Sequence, residues 1–122
     1  MELSGIVSAL LEELGSATGL RVRAGWVTGQ DTYPLVTLVM SEATVRWANI
    51  ELSRFIYRLR FQVDIWHGSA EECDRLASRA AARLIDASRR RGWMGLRIEA
   101  IRDIPADGVH RKMIEVSFLA VV

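Results

Sequence analysis

Apolar side chains near the start of the chain recur at Leu3, Ile6, Val7, Leu10, Leu11 and Leu14, the three-then-four spacing that lines one stripe of a helix. Gly15 and Gly19 mark its end. Leu20 and Val22 then alternate with Arg21 and Arg23, a glycine-containing polar loop runs from Gly25 to Thr32, and a β-branched strand follows from Leu35 to Met40. Between Ser41 and Arg54 the apolar positions Val45, Trp47, Ile50 and Leu52 alternate weakly among polar ones, a pattern that fits a second hairpin arm or an exposed loop.

The alternation sharpens from Phe55 to Trp66. Phe55, Tyr57, Leu59, Phe61, Val63 and Ile65 share one face of a strand, and Arg58, Arg60, Gln62 and Asp64 share the other. The first face is predicted to enter the core and the second to meet water or a partner. His67-Gly68 breaks the strand, and Ser69 with Glu72 three residues on is the pattern of a capping box. The period then returns to helical, with Cys73, Leu76, Ala77, Ala80, Ala81, Leu84 and Ile85 on one stripe and Arg75, Arg79, Arg83 and Asp86 outside it. Small alanines on the stripe allow close approach to a sheet. Arg89 to Arg91 complement the negative end of the helix dipole before Gly92 ends the helix. Leu96, Ile98 and Ala100 alternate next, Pro105 to Gly108 reads as a turn, and Met113 to Val122 is a long final strand whose Ile114, Val116, Phe118, Ala120 and Val122 face the core.

The predicted fold is therefore α+β: an antiparallel or mixed sheet of about four main strands with two helices packed on it, one N-terminal and one long helix after the central strand. Length and composition agree with a single domain over residues 1–122, half of whose side chains are hydrophobic. Sixteen basic side chains face fifteen acidic ones, so net charge gives no reason to expect a nucleic acid or a membrane as partner. No apolar run approaches the roughly 20 residues that cross a bilayer, and the N-terminus lacks the pattern of a signal peptide. The lone Cys73 has no partner for an internal disulfide. These features point to a protein made in a reducing cytoplasm.

Candidate chemistry is thin. Asp64, His67, Glu71, Glu72 and Cys73 gather at the strand-to-helix junction, yet capping accounts for Glu72, the helix stripe accounts for Cys73, and the spacing of Asp64 and His67 does not require them to converge. His110 stands in a turn beside Arg111 and Lys112, without a nearby serine or cysteine in the context of an activated nucleophile. Gly25 and Gly29 lack the spacing and the lysine of a phosphate cradle. The expectation is a protein that binds and assembles, is not an enzyme, and takes no cofactor or metal.

Arginine placement changes the picture more. Arg54, Arg58 and Arg60 decorate one strand face and Arg75, Arg79, Arg83 and Arg89 to Arg91 line the helix, while Glu12, Glu13, Asp31, Glu42 and Glu51 lie elsewhere. Segregated charge suggests a basic face meeting an acidic face of a neighbouring copy, a heterologous contact of the kind that closes into rings. Of the four tryptophans, Trp26 and Trp47 sit in predicted loops and are candidate anchors, with core filling as the alternative.

The amphipathic N-terminal helix, the loop ending in Tyr33-Pro34 before Leu35-Val36-Thr37-Leu38, and Phe61-Gln62-Val63-Asp64-Ile65-Trp66-His67 leading through Gly68-Ser69 into a long helix together resemble the tail-terminator (tail-completion) proteins of long-tailed bacteriophages. The resemblance covers nearly the whole chain. It implies a structural virion protein located at the neck end of the tail. Such a protein forms a ring, typically a hexamer, that caps the tail tube, ends its polymerisation and offers a surface to the head connector or head-closure protein. Its partners would be itself, the tail tube protein and the connector, without a membrane or specific nucleic-acid binding. Arg58, Arg60, Trp47 and Trp26 are the candidate interface residues, and the loops at Gly25 to Thr32, Ser41 to Arg54 and Ile104 to Arg111 would reach neighbours. The alternatives are another neck component, a small enzyme with its site between Asp64 and Cys73, and a nucleic-acid-binding module using the arginine face.

Overall fold

The computed structural model describes residues 2–51 and 53–122; the expectation for Leu52 lies outside them. The elements follow in the order α1 (Leu3–Thr18), β1 (Val22–Ala24), β2 (Leu35–Ala48), β3 (Phe55–His67), α2 (Ala70–Arg91), β4 (Met94–Ile104) and β5 (His110–Val121). The strands form one mixed sheet in the order β1-β2-β3-β5-β4, antiparallel throughout except for the parallel pairing of β1 with β2. Four long strands match the sequence reading. The fifth, β1, is three residues long and takes its place at an edge through a parallel partner that no local pattern announces.

Both helices pack on the same face of the sheet. Ile6, Leu10 and Leu14 of α1 and Cys73, Leu76, Ala77, Ala80, Leu84 and Ala87 of α2 join Leu59, Phe61, Val63 and Ile65 of β3 and Ile114, Val116, Phe118 and Ala120 of β5 in one hydrophobic cluster. Shortening a fully buried member such as Leu10 or Phe61 to alanine costs roughly 2–5 kcal/mol, because a cavity is added to the lost transfer energy. Trp93 stacks on Phe118 with ring centroids 4.9 Å apart, and Phe118 on Phe61 at 5.8 Å.

Three local expectations change. Helix α1 does not stop at Gly15: it runs to Thr18, and the Gly19 N–H donates to the Gly15 carbonyl. The capping box is half formed, since Ser69 Oγ accepts from the Glu72 N–H while the Ser69 N–H donates to His67 Nδ1, and the Glu72 carboxylate turns instead to Arg75. On α2, Ile85 is 42% exposed and Ala87 and Ser88 take the buried positions one turn on, as a 3.6-residue period requires when the helix continues to Arg91. Gly92 ends it in the left-handed conformation, with the Trp93 N–H donating to the Ser88 carbonyl.

The undecided segment from Ser41 resolves as strand. β2 continues to Ala48, pairing with β3 as far as Ala48↔Phe55, with register shifts between Met40 and Glu42 and between Val45 and Trp47. It is thus a hairpin arm, not the loop that would reach neighbours. A fourteen-residue strand spans roughly 45 Å at about 3.3 Å per residue. Residues 41–47 are exposed all along it, so the distal half of β2 has no helix over it.

Candidate assembly surface

Arg58, Arg60, Gln62 and Asp64 do share the face of β3 that carries no helix. Their strand partners on that face are Leu119, Ser117, Glu115 and Met113 of β5 and, on β2, Thr44, Glu42, Val39 and Thr37. This face is charged and largely paired within the chain. Arg58 Nη2 lies 3.5 Å from Glu99 Oε1 and Arg60 Nη1 2.9 Å from Glu115 Oε1. Ser117 Oγ donates to Glu99 at 2.6 Å, and that bond leads the causes holding the Glu99 carboxyl below its usual range, ahead of the nearby Arg97, Arg60 and Arg58 charges. Both arginines remain about one-third exposed. They are available at the surface, but as members of ion pairs.

Further along the same face, water is excluded. Asp64 is 1% exposed, contrary to the expectation that it meets water or a partner. Arg111 Nε donates to Asp64 Oδ1 at 2.9 Å and Gln62 Nε2 to Asp64 Oδ2 at 2.8 Å, so the buried carboxylate is paired and hydrogen-bonded, the condition under which burial is tolerated. The Arg111 guanidinium lies 4.8 Å from the ring centre of Trp66, and Tyr33 stacks on Trp66 at 5.8 Å. The loop between β1 and β2 brings Tyr33 there. Arg23 and Asp31 brace that loop: Arg23 Nη2 donates to the Trp26 carbonyl at 2.8 Å, and Asp31, paired with Arg23, accepts the Thr28 N–H, the leading cause that holds its carboxyl below the usual range. The Tyr33–Pro34 peptide is cis.

The four tryptophans divide evenly. Trp66 and Trp93 are buried; Trp26 is 61% and Trp47 53% exposed. Trp26 lies in the loop as expected, whereas Trp47 is on strand β2 and not in a loop. Val45 and Ile50 are exposed beside it in sequence, and Val121 of β5 is exposed as well. Singly exposed apolar side chains are ordinary, and it is their grouping that marks a candidate interaction surface.

Part of the charge segregation read from the sequence is consumed inside the chain. Glu13 is buried on α1 and accepts from Arg83 Nε at 3.1 Å and from Arg90 Nη2 at 2.8 and 3.0 Å, so an acidic residue of one helix meets the basic stripe of the other. The Arg90 hydrogen bond, with that from Arg83, outweighs burial and holds the Glu13 carboxyl down to about 2. Arg91 lies 3.6 Å from Glu12. Arg83, Arg90 and Arg91 of the basic stripe thus meet Glu12 and Glu13 within one copy, while Arg79 and Arg89 stay exposed.

The residues at the strand-to-helix junction do not converge. Asp64 points to the helix-free face, while Cys73 packs under α2, where its thiol donates to the Ile65 carbonyl at 3.7 Å or the His110 carbonyl at 3.6 Å, and burial pushes that thiol up. Beside it, a cleft of about 590 Å³ separates the start of α2 from the β4–β5 turn. Lys112, bridging Asp74 and Asp103, has its ammonium pKa raised by those two hydrogen bonds. No helix of the described residues is long and apolar enough to cross a membrane.

Sequence reasoning missed Arg46 and Arg97. They line a small cavity on the helix-free face together with Arg58, Gly95, Ser117, Phe118 and Leu119. Val45, Arg46 and Trp47 read as unbroken alternation, so nothing local marks the bulge at Arg46; the one local signal is Gly95 near the start of a strand.

No protein-family model matches the chain, and no curated protein matches it in sequence. Among solved structures, a chain of the virion of a native gene transfer agent particle superposes with a TM-score of 0.69, at 12% sequence identity, over 98% of each of the two chains. At that identity the likeness is one of fold, with the two chains matched end to end.

Proposed function

We propose that this chain is a structural protein of a phage-like particle, non-catalytic, that forms a ring at the neck end of the tail tube and ends tube growth. The observation that carries the reading is the end-to-end likeness of fold to a chain from a gene transfer agent virion. Two features support it. The β2–β3 arm puts Trp47 and Val45 into water without a use in the chain's own core, and the sequence pattern from Phe61 through Ser69 resembles tail terminators. The ring is taken to be a hexamer, with the tail tube protein on one side and a head connector or head-closure protein on the other. A protein that binds a tube end and refuses another tube subunit needs two different ring faces. The helix layer and the helix-free charged face differ in that way.

Another neck protein, such as a head-closure protein, would share the fold and the particle. The deciding experiment is the solution mass of the purified chain by light scattering over a range of concentrations, alone and with tail tubes. A ring that binds tube ends and blocks further growth is expected. A ring that binds the connector and ignores tubes would transfer the assignment to head closure, and a strict monomer indifferent to both would end it.

A further inference from the structure

Two β-bulges on different strands deliver arginines to one cavity. In β2 the register passes from Val45↔Tyr57 to Trp47↔Ile56, which leaves Arg46 as the extra residue. In β4 it passes from Met94↔Leu119 to Arg97↔Ser117, with Gly95 at φ +59° inside the irregular stretch, a conformation that favours glycine. Bulges bend a strand locally and re-aim its side chains. Here β2 and β4 flank the β3–β5 pair from opposite sides, and their bulges bring Arg46 and Arg97 to the cavity of about 210 Å³ that Arg58 also lines. Three arginines thus line one small cavity. Glu99, the acidic residue that pairs with Arg58, is already engaged by the Ser117 hydroxyl, and neither Arg46 nor Arg97 forms an ion pair among the described residues.

We propose that Arg46, Arg58 and Arg97 form a receptor for an acidic side chain of a different protein, whose carboxylate enters between the guanidinium groups. Guanidinium forks bind carboxylates in two-point contacts, and the cavity has the volume of a side chain or two. A duplex would need a continuous basic track, whereas Arg60 and Arg111 along the same face are neutralised by Glu115 and Asp64. Ten of the fifteen acidic side chains already pair within the chain, so a second copy offers only five others and the carboxylate is assigned to a different protein. The inference rests on the assembly reading for its partner, a neighbouring particle protein, and on the bulge geometry for its residues.

The test is fluorescence anisotropy of a labelled hexaglutamate peptide titrated with the purified full chain at low salt. Binding is expected, weakened about tenfold or more in the Arg46→Gln/Arg97→Gln variant, as the loss of charge-assisted contacts implies. It should be unchanged in Arg79→Gln/Arg89→Gln, which removes the same charge from α2. Both variants should keep the parent unfolding midpoint, since none of the four arginines is in an ion pair. No peptide binding, or equal weakening in the two variants, would overturn the proposal; tighter binding of a DNA duplex of matched charge, lost in the cavity variant, would replace it with a nucleic-acid site. Light scattering on the same samples separates the two readings. A monomer whose peptide binding depends on Arg46 and Arg97 keeps the receptor and removes the ring, and a ring that ignores the peptide does the reverse.

Discussion

The carboxylate of Glu13 on α1 is gripped by Arg90 on α2, whose Nη2 lies 3.0 Å from Oε1 and 2.8 Å from Oε2, seventy-seven residues away in sequence. It joins the helices at a point where the carboxylate is 3% exposed and the arginine 45%. A buried acid is thus neutralised by a base that keeps much of its hydration, so most of the desolvation cost falls on the carboxylate.

Replacing Glu13 by glutamine should destabilise the chain by about 1–3 kcal/mol, the range left after the shift is discounted for the half-exposed arginines. The folded pKa of about 2 lies below the ordinary 4.5, so the carboxylate's contribution is complete above about 4.5 and is lost as pH falls toward 2. Urea unfolding of parent and variant should therefore converge through that window. A gap that stays constant from neutral to strongly acid pH would show that the helix junction does not depend on this charge.

Asp64→Ala should cost more, roughly 3–5 kcal/mol, because it leaves the Arg111 guanidinium unpaired in a largely buried setting. Trp66 reports the change directly, since Arg111 covers its ring and Tyr33 stacks on it. A red shift of tryptophan emission together with the lower midpoint is the expected outcome; an unchanged midpoint would mean that the Asp64–Arg111 pair contributes nothing.

Cys73 is 2% exposed and its thiol pKa is raised by burial, so both access and thiolate fraction are low. A thiol reagent should modify the native chain far more slowly than the chain in denaturing urea. Comparable rates would place the start of α2 in frequent local opening.

Trp47→Ser and Trp26→Ser remove exposed rings and should move stability by no more than about 0.5 kcal/mol. If the arm joins copies, light scattering at fixed concentration should show the Trp47 variant with a lower mean mass than the parent. Equal masses would take Trp47 out of the ring contact.

Arg58 and Arg60 are better tested by glutamine than by charge reversal. A glutamate at either position would stand against Glu99 or Glu115 inside the same chain and confuse folding with assembly. The neutral variants lose one partly exposed pair each, worth about 0.2–1 kcal/mol, and reduced ring mass at a nearly unchanged midpoint is the expected result. Retained mass would take Arg58 and Arg60 out of the ring contact.

The elements were legible because periodicity is local. Leu3 to Leu14 and Cys73 to Leu84 carry the helical period, Phe55 to Ile65 the strand period, and each buries the face it advertises. The weak alternation after Ser41 was ambiguous for the same reason: the arm is exposed on both sides, and without burial no face is selected. Arg58 and Arg60 were assigned to the correct face, yet their partners Glu99 and Glu115 lie on strands that meet β3 or its neighbour only in the folded sheet. The arginine cavity is not legible along the chain, because a bulge is a property of two strands in register.

By itself, then, the sequence determined the two helices, the first half of β2, the other three long strands, the core faces of β3 and β5, and the caps at Ser69 and Gly92, since each follows from contacts within a few residues. Tertiary structure decided the edge place of β1, the burial of Asp64, the pairing of Glu13 with Arg90 and the placing of Arg46 and Arg97 at one cavity. Those depend on groups far apart along the chain, and chain connectivity does not fix which distant groups meet until strand order and register are set.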